Sequence, residues 1–194
     1  PDKLADRIAR HLVMAGLLLE SDPETAHKHA LAARARSQRS AVIREAVGET
    51  AYAAGKFAEA LAELRTARRL SGDHGYAPMM ADCERALGRP QKALEYDRPE
   101  IRDALDDAGE IELTIVVAGA RRDLGQAAAA LRMLESEALH SPSREPWLAR
   151  LRYAYADTLL SAGRREEAIE WFHRTLAVDT EGVTDAEERL AELE

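Results

Sequence analysis

The stretch GKFAEALAELRTA occupies residues 55–67, and GRREEAIEWFHRTLA occupies residues 163–177. Both open on glycine, place an alanine five residues later (Ala60, Ala168) and continue with apolar residues at helical spacing. Glycine suits the left-handed residue that ends a helix, and the run after it restarts one. The phrase therefore reads as the turn and second helix of a helical hairpin, written twice about a hundred residues apart.

The same step recurs between these two copies. Gly88 leads to Ala93 and Gly125 to Ala130; upstream, Ser21 stands in for the glycine ahead of Ala26. From Ala26 onward the aligned alanines are 34, 33, 37 and 38 residues apart. Twelve residues before each alanine stands a small residue: Gly48, Ala81, Ala118 and Ala156, with Met14 as the exception. Four residues after it come Ala30, Leu64, Leu134 and Phe172, while Asp97 breaks the column. Small residues on one helix and bulky ones a turn along its partner predict close helix–helix approach. Asp22-Pro23 supplies an N-cap followed by proline at the first helical position. Turns of two to four residues make paired helices antiparallel.

A helix–turn–helix period near 34 residues with glycine, alanine and bulky residues at these steps resembles the tetratricopeptide repeat family. GETAYAAGKFAEALAELRTAR and YADTLLSAGRREEAIEWFHRTLAVD carry the resemblance most fully. It extends over residues 6–178 and thins in the third and fourth units. The unit-end proline is missing, and the early tryptophan too unless Trp147 is a shifted copy. The resemblance implies an all-α fold: a right-handed α-solenoid of about five helix pairs with a C-terminal capping helix. Residues 1–194 are then a single repeat domain with units at about 6–39, 40–72, 73–108, 109–144 and 147–180 and an end helix at 184–194. Pro99 is expected to stop the third unit's second helix, with a short extra turn after it. SPSREPW (141–147) reads as a loop. Thr184-x-x-Glu187 reads as a capping box opening the end helix.

The resemblance also implies that the first helix of each pair lines a concave groove of the kind that holds peptides or helices. By the family's spacing, the second unit turns Glu45, Glu49 and Tyr52 inward, and the third Pro78, Asp82 and Arg85. The fourth contributes Ile115, Gly119 and Arg122, the fifth Tyr153, Asp157 and Leu160, and the first His11, Ala15 and Leu18. From these, the expected peptide-binding residues are Glu45, Glu49, Tyr52, Asp82, Arg85, Ile115, Arg122, Tyr153 and Asp157. Some relatives clamp a C-terminal carboxylate here with basic residues. Glu45 and Glu49 would repel one, so a basic or amphipathic ligand fits better. Glu84 and Arg121 hold equivalent steps in adjacent units and are expected to pair.

Composition narrows the remaining classes. Among the 194 residues, 46% are apolar and only 5% aromatic, and the net charge is −8. An acidic chain is poorly suited to phosphate backbones, so nucleic acid is disfavoured; Arg34, Arg36 and Arg39 read as a solvated helix end. The longest apolar runs, LVMAGLLL (12–19) and LTIVVAGA (113–120), fall short of the roughly 20 residues a membrane span needs. The second run is expected to be the most enclosed helix, with self-association through it left open. The lone Cys83 cannot form an internal disulfide and reads as a small buried hydrophobe. The expected compartment is the cytoplasm. The chain begins at Pro1 rather than methionine and so reads as a piece of a longer protein.

No catalytic, metal or cofactor signature emerges. His27 and His29 point about 200° apart on a helix and cannot share an ion. Neither a phosphate-cradling glycine loop nor a nucleophile elbow is present. Adjacent acidic pairs such as Glu166 and Glu167 diverge by about 100°. The expected function is a non-catalytic scaffold that binds a protein or peptide in its groove. The alternative is a regulatory or sensor segment of a longer multidomain protein, binding a small ligand or nucleic acid.

Overall fold

The computed structural model describes residues 2–194; Pro1, the first residue of the expected domain, lies outside them. Among the described residues every regular element is a helix. The chain divides into two compact units, Pro1–Arg89 and Pro90–Glu194.

The first unit holds α1 (Asp2–Leu18), α2 (Pro23–Arg34), α3 (Ala41–Ala53), α4 (Phe57–Ser71) and α5 (Ala77–Ala86). Each helix packs on the next, and α1 also touches α3. The Asp22 side chain accepts the Thr25 N–H at 3.1 Å and Pro23 follows, so the cap written in the sequence forms. Between α3 and α4 the chain reverses at Gly55, whose φ of 70° is left-handed. There the Lys56 N–H reaches back to the Ala51 carbonyl at 2.8 Å, the six-to-one bond of a Schellman ending. Gly48 explains the small-residue column. A Cβ placed on it would lie 2.5 Å from Leu64, so α3 and α4 touch where only hydrogen fits. The apolar core is mostly small, with Ala15, Ala30 and Val47 at one centre.

Polar groups are buried between these helices as well. His27 faces Thr50 Oγ1 with Nδ1 and Glu59 with Nε2, both at 3.1 Å. Glu63, 7% exposed, accepts from Arg34 at 2.5 Å and from Arg44 at 2.7 Å. Glu84 is fully buried; it accepts from Arg65 at 2.5 Å and has Arg89 at 3.5 Å.

The second unit holds α6 (Pro90–Leu94), α7 (Pro99–Arg102), α8 (Asp107–Asp123), α9 (Ala127–Leu134), α10 (Pro146–Ser161), α11 (Arg165–Leu176) and α12 (Ala186–Leu193), with a 3-10 turn at Glu137–His140. Pro99 acts as the sequence implies: α6 ends early and α7 is the extra turn. α8 is helical through its β-branched run because packing outweighs propensity; Leu113, Val117 and Ala118 are buried. The core is aromatic and aliphatic. Fully buried Phe172 lies with Leu134, Leu151, Leu159 and Ala156, closed on one side by Leu190 and Leu193 of α12. Tyr155 and Trp171 meet edge to face with centroids 5.0 Å apart.

Two local expectations are revised. Thr184 does not cap α12. Its hydroxyl donates to Asp179 at 2.6 Å, and Asp179 also accepts the Val183 and Thr184 N–H groups, which leaves Asp185 at the N-cap. Glu84 and Arg121 each have other partners. Glu84 takes Arg65 from α4, and Arg121 donates to Gln126 at 3.3 Å and to the Met133 sulfur at 3.0 Å. Helices next door in the chain reach each carboxylate or guanidinium first. Among the described residues no helix is long and apolar enough to cross a membrane.

Candidate functional site

In the first unit, α3 and α5 bring the expected groove residues of the second and third repeats together. Tyr52 Oη donates to Asp82 Oδ2 at 2.6 Å, and Arg85 Nη1 donates to Asp82 Oδ1 at 3.1 Å. One turn earlier on α3, Glu49 accepts the hydroxyl of Tyr76, the N-cap residue of α5. Two tyrosines therefore bridge the same pair of helices, each ending on a carboxylate. Burial, then the hydrogen bond and the negative charge, push both phenols above their ordinary range. The Tyr52 ring is buttressed edge-on by Phe57 with centroids 5.7 Å apart.

Glu45 begins this row and differs from the rest. It is half-buried and makes no hydrogen bond or ion pair among the described residues. Burial, with the charges of Asp73 and Glu49, raises its carboxyl above the usual range. The two charges that act on it, those of Asp73 and Glu49, are both negative.

In the second unit the other expected residues are engaged within the chain. Asp157 on α10 accepts from Arg122 on α8 and, at 3.2 Å, from Arg189 on α12. Tyr153 lies edge-on to Phe172 with centroids 5.5 Å apart, and burial, then its bond to Asp185, push its hydroxyl up. Ile115 packs against the core cluster. The α12 helix thus supplies both an acid and an arginine to the face of α10 that the spacing turns inward.

Sequence reasoning did not single out Tyr76, Asp185 or Arg189. Tyr76 stands two residues before Pro78, where the projected row of the third unit begins, so it falls outside the spacing. Asp185 and Arg189 lie in the end helix. That helix packs on α11 as the first helix of a further pair would, and nothing in its own pattern names α10 as a neighbour. Cys83 is fully buried, and burial with the charges of Asp82 and Glu84 pushes its thiol up to about 12; it is no nucleophile at neutral pH. Among the described residues no three His, Cys, Asp or Glu side chains are grouped to hold a metal ion.

No curated protein matches the chain. A family model described as tetratrico peptide repeat matches residues 76–183, more than half of its length. The match takes in the third and fourth units, where the repeat spacing is hardest to see by eye, as well as the fifth. With helical hairpins turning at the aligned glycines and a family match across that span, the chain belongs to the tetratricopeptide repeat family.

Proposed function

We propose that the first unit binds a basic or amphipathic peptide segment of another protein along the α3–α5 face. Tetratricopeptide repeats are helical scaffolds that typically mediate protein interactions. What supports the finer reading is Glu45: a half-buried carboxylate without a partner, beside Glu49 and Asp73. A lysine or arginine arriving there relieves carboxylate repulsion and gains a charge-assisted bond. Tyr76, which feels the charge of Glu45, and Tyr52 further along α3 add half-buried aromatic surface. Asp82 and Arg85 extend the row by a turn and give it polarity. A single face of this size fits micromolar affinity, on the order of −8 kcal/mol.

The test is anisotropy with a fluorescent, arginine-containing amphipathic peptide. Glu45→Lys is the informative variant because Glu45 holds no internal bond, whereas Glu49 and Asp82 each anchor a tyrosine. Binding to the wild-type chain that drops about tenfold or more in Glu45→Lys, and is unmoved by Glu187→Lys on α12, supports the reading. Equal affinity in all three proteins removes it.

A further inference from the structure

The two histidines closest to each other lie in the first unit. His11 of α1 and His29 of α2 face across the helix pair with their Nδ1 atoms 3.0 Å apart and ring centroids 5.2 Å apart, tilted by 46°. One ring donates and the other accepts. Arg7 precedes His11 by one turn on the same helix face. Arg36 follows α2 and uses one Nη1 bond on the Ala32 carbonyl at 2.6 Å. Burial, followed by the charges of Arg36, His29 and Arg7, lowers the His11 pKa below its ordinary value.

Of the nearby carboxylates, Asp6 beside Arg7 on α1, Glu20 after α1 and Glu45 on α3 form no ion pair among the described residues, and the others are committed elsewhere. On α2, Asp22 holds its own helix start and Glu24 takes Lys56. On α3, which packs against both helices, Glu49 takes Tyr76 and Arg44 goes to Glu63, while Glu45 is acted on by Asp73 and Glu49. Arg34, two residues from Arg36, pairs with Glu63. Among the described residues, neither Arg7 nor Arg36 has a carboxylate partner. The His11–His29 pair thus lies within reach of the charges of Arg36 and Arg7, neither of which is ion-paired, in a chain of net charge −8.

We propose that Arg7, His11, His29 and Arg36 form a binding site for a phosphate group. Like charges held side by side cost free energy, and an arriving oxyanion removes that cost. A phosphate presents several acceptor oxygens, enough for two imidazole N–H groups and two guanidinium forks, and its second charge rewards convergence of cations. A carboxylate fills with fewer donors. The site is independent of the α3–α5 reading, since it uses none of its residues.

The experiment is a titration of the full chain with inorganic phosphate and, separately, with a phosphoserine peptide in chloride buffer at pH 6.5. Heat and the histidine Cε1–H resonances are followed together. The expected result is saturable binding that shifts the His11 and His29 signals and raises the His11 pKa. Arg36→Gln, on an exposed side chain, weakens it about tenfold, and so does His29→Gln. Tighter binding of the peptide places the recognised group on a chain; equal or weaker binding assigns free phosphate. Phosphate that leaves both resonances in place overturns the proposal. So does equal affinity in wild type, Arg36→Gln and His29→Gln.

Discussion

The two units are built on one repeat spacing but are held together differently. The first carries 14 Lys and Arg against 12 Asp and Glu, a net +2; the second carries 13 against 23, a net −10. Between the helices of the first lie His27, Glu63 and Glu84, with their partners around them. In the second, the buried polar side chains among the described residues are Thr158 and Thr175, each bonded back to a carbonyl one turn earlier. Its helices meet instead through Phe172, Tyr155, Trp171 and a leucine cluster. Among the candidate binding residues Glu45 stands apart: Tyr52, Glu49, Asp82 and Arg85 are engaged within the first unit as Asp157 and Arg122 are within the second. Asp157 and Tyr153 are satisfied by α12, while Glu45 is satisfied by nothing. A repeat that fixes backbone spacing therefore leaves open whether a given inward position is a seam or a surface.

The sharpest way to break this contrast is to truncate the second unit's core. Phe172→Ala removes a fully buried ring and is expected to cost about 3–5 kcal/mol. Urea unfolding gives the value, and segment-resolved hydrogen exchange shows where it falls. Loss of protection confined to residues 90–194 upholds the division into two cores; equal loss over residues 1–89 abolishes it.

The counterpart in the first unit is ionic. Glu63→Ala strands Arg34 and Arg44 in a half-buried seam and is expected to cost about 3 kcal/mol. Arg34→Ala, which leaves Glu63 its second partner, costs less. A Glu63→Ala penalty near zero would mean that the seam is solvated and the contrast between units is only one of composition.

A third change exchanges matched positions. The second unit carries Ala156 at the step where the first carries Gly48. Gly48→Ala is nevertheless expected to destabilise by about 1–3 kcal/mol, because its new methyl meets Leu64 at 2.5 Å. In a Leu64→Ala background, which lacks the Cγ and Cδ2 that the methyl meets, Gly48→Ala should cost far less if the clash is the cause.

That pair also shows what the sequence made legible. Helix content, the reversals and the small-against-bulky contact were all readable, because each depends on residues a few places apart along the chain. Pro99 was readable for the same reason. Which helix a charged side chain reaches was not. Glu84 was matched by column to Arg121, yet it takes Arg65 from the helix before it. Thr184 carried a capping pattern, yet its hydroxyl goes to Asp179. Arg189 was only one more charge of the end helix, yet it holds Asp157. Long side chains choose among neighbours within a few ångströms, and a one-dimensional period does not rank those neighbours.

The first unit also predicts a pH response. Cys83 titrates at about 12 in the fold, against roughly 8.5 for a free thiol. The folded state keeps the neutral thiol, so the unfolded chain loses its proton first. Stability is whole below about pH 8.5 and declines as pH climbs from there toward 12. The half-buried phenols of Tyr52 and Tyr76 add to the decline in the same direction at higher pH. Thermal melts from pH 8 to pH 10 should show a falling midpoint in the wild type and a flatter one in Cys83→Ala. A thiol reagent should modify the native protein only at the rate of its opening.

The smallest stability effect tests the boldest part of the comparison. Arg189→Ala breaks a partly exposed ion pair, which is worth less than about 1 kcal/mol, and leaves Leu190 and Leu193 seated in the core. Asp157 then keeps Arg122 alone and gains an open side. If the difference between the two candidate faces lies in their internal partners, this variant should bind the arginine-containing peptide more tightly than wild type, through its second unit, and a further Asp157→Asn should cancel the gain. Unchanged affinity would place the difference in the helix surfaces themselves, and the partner-free state of Glu45 would no longer be the reason for assigning the ligand to the first unit.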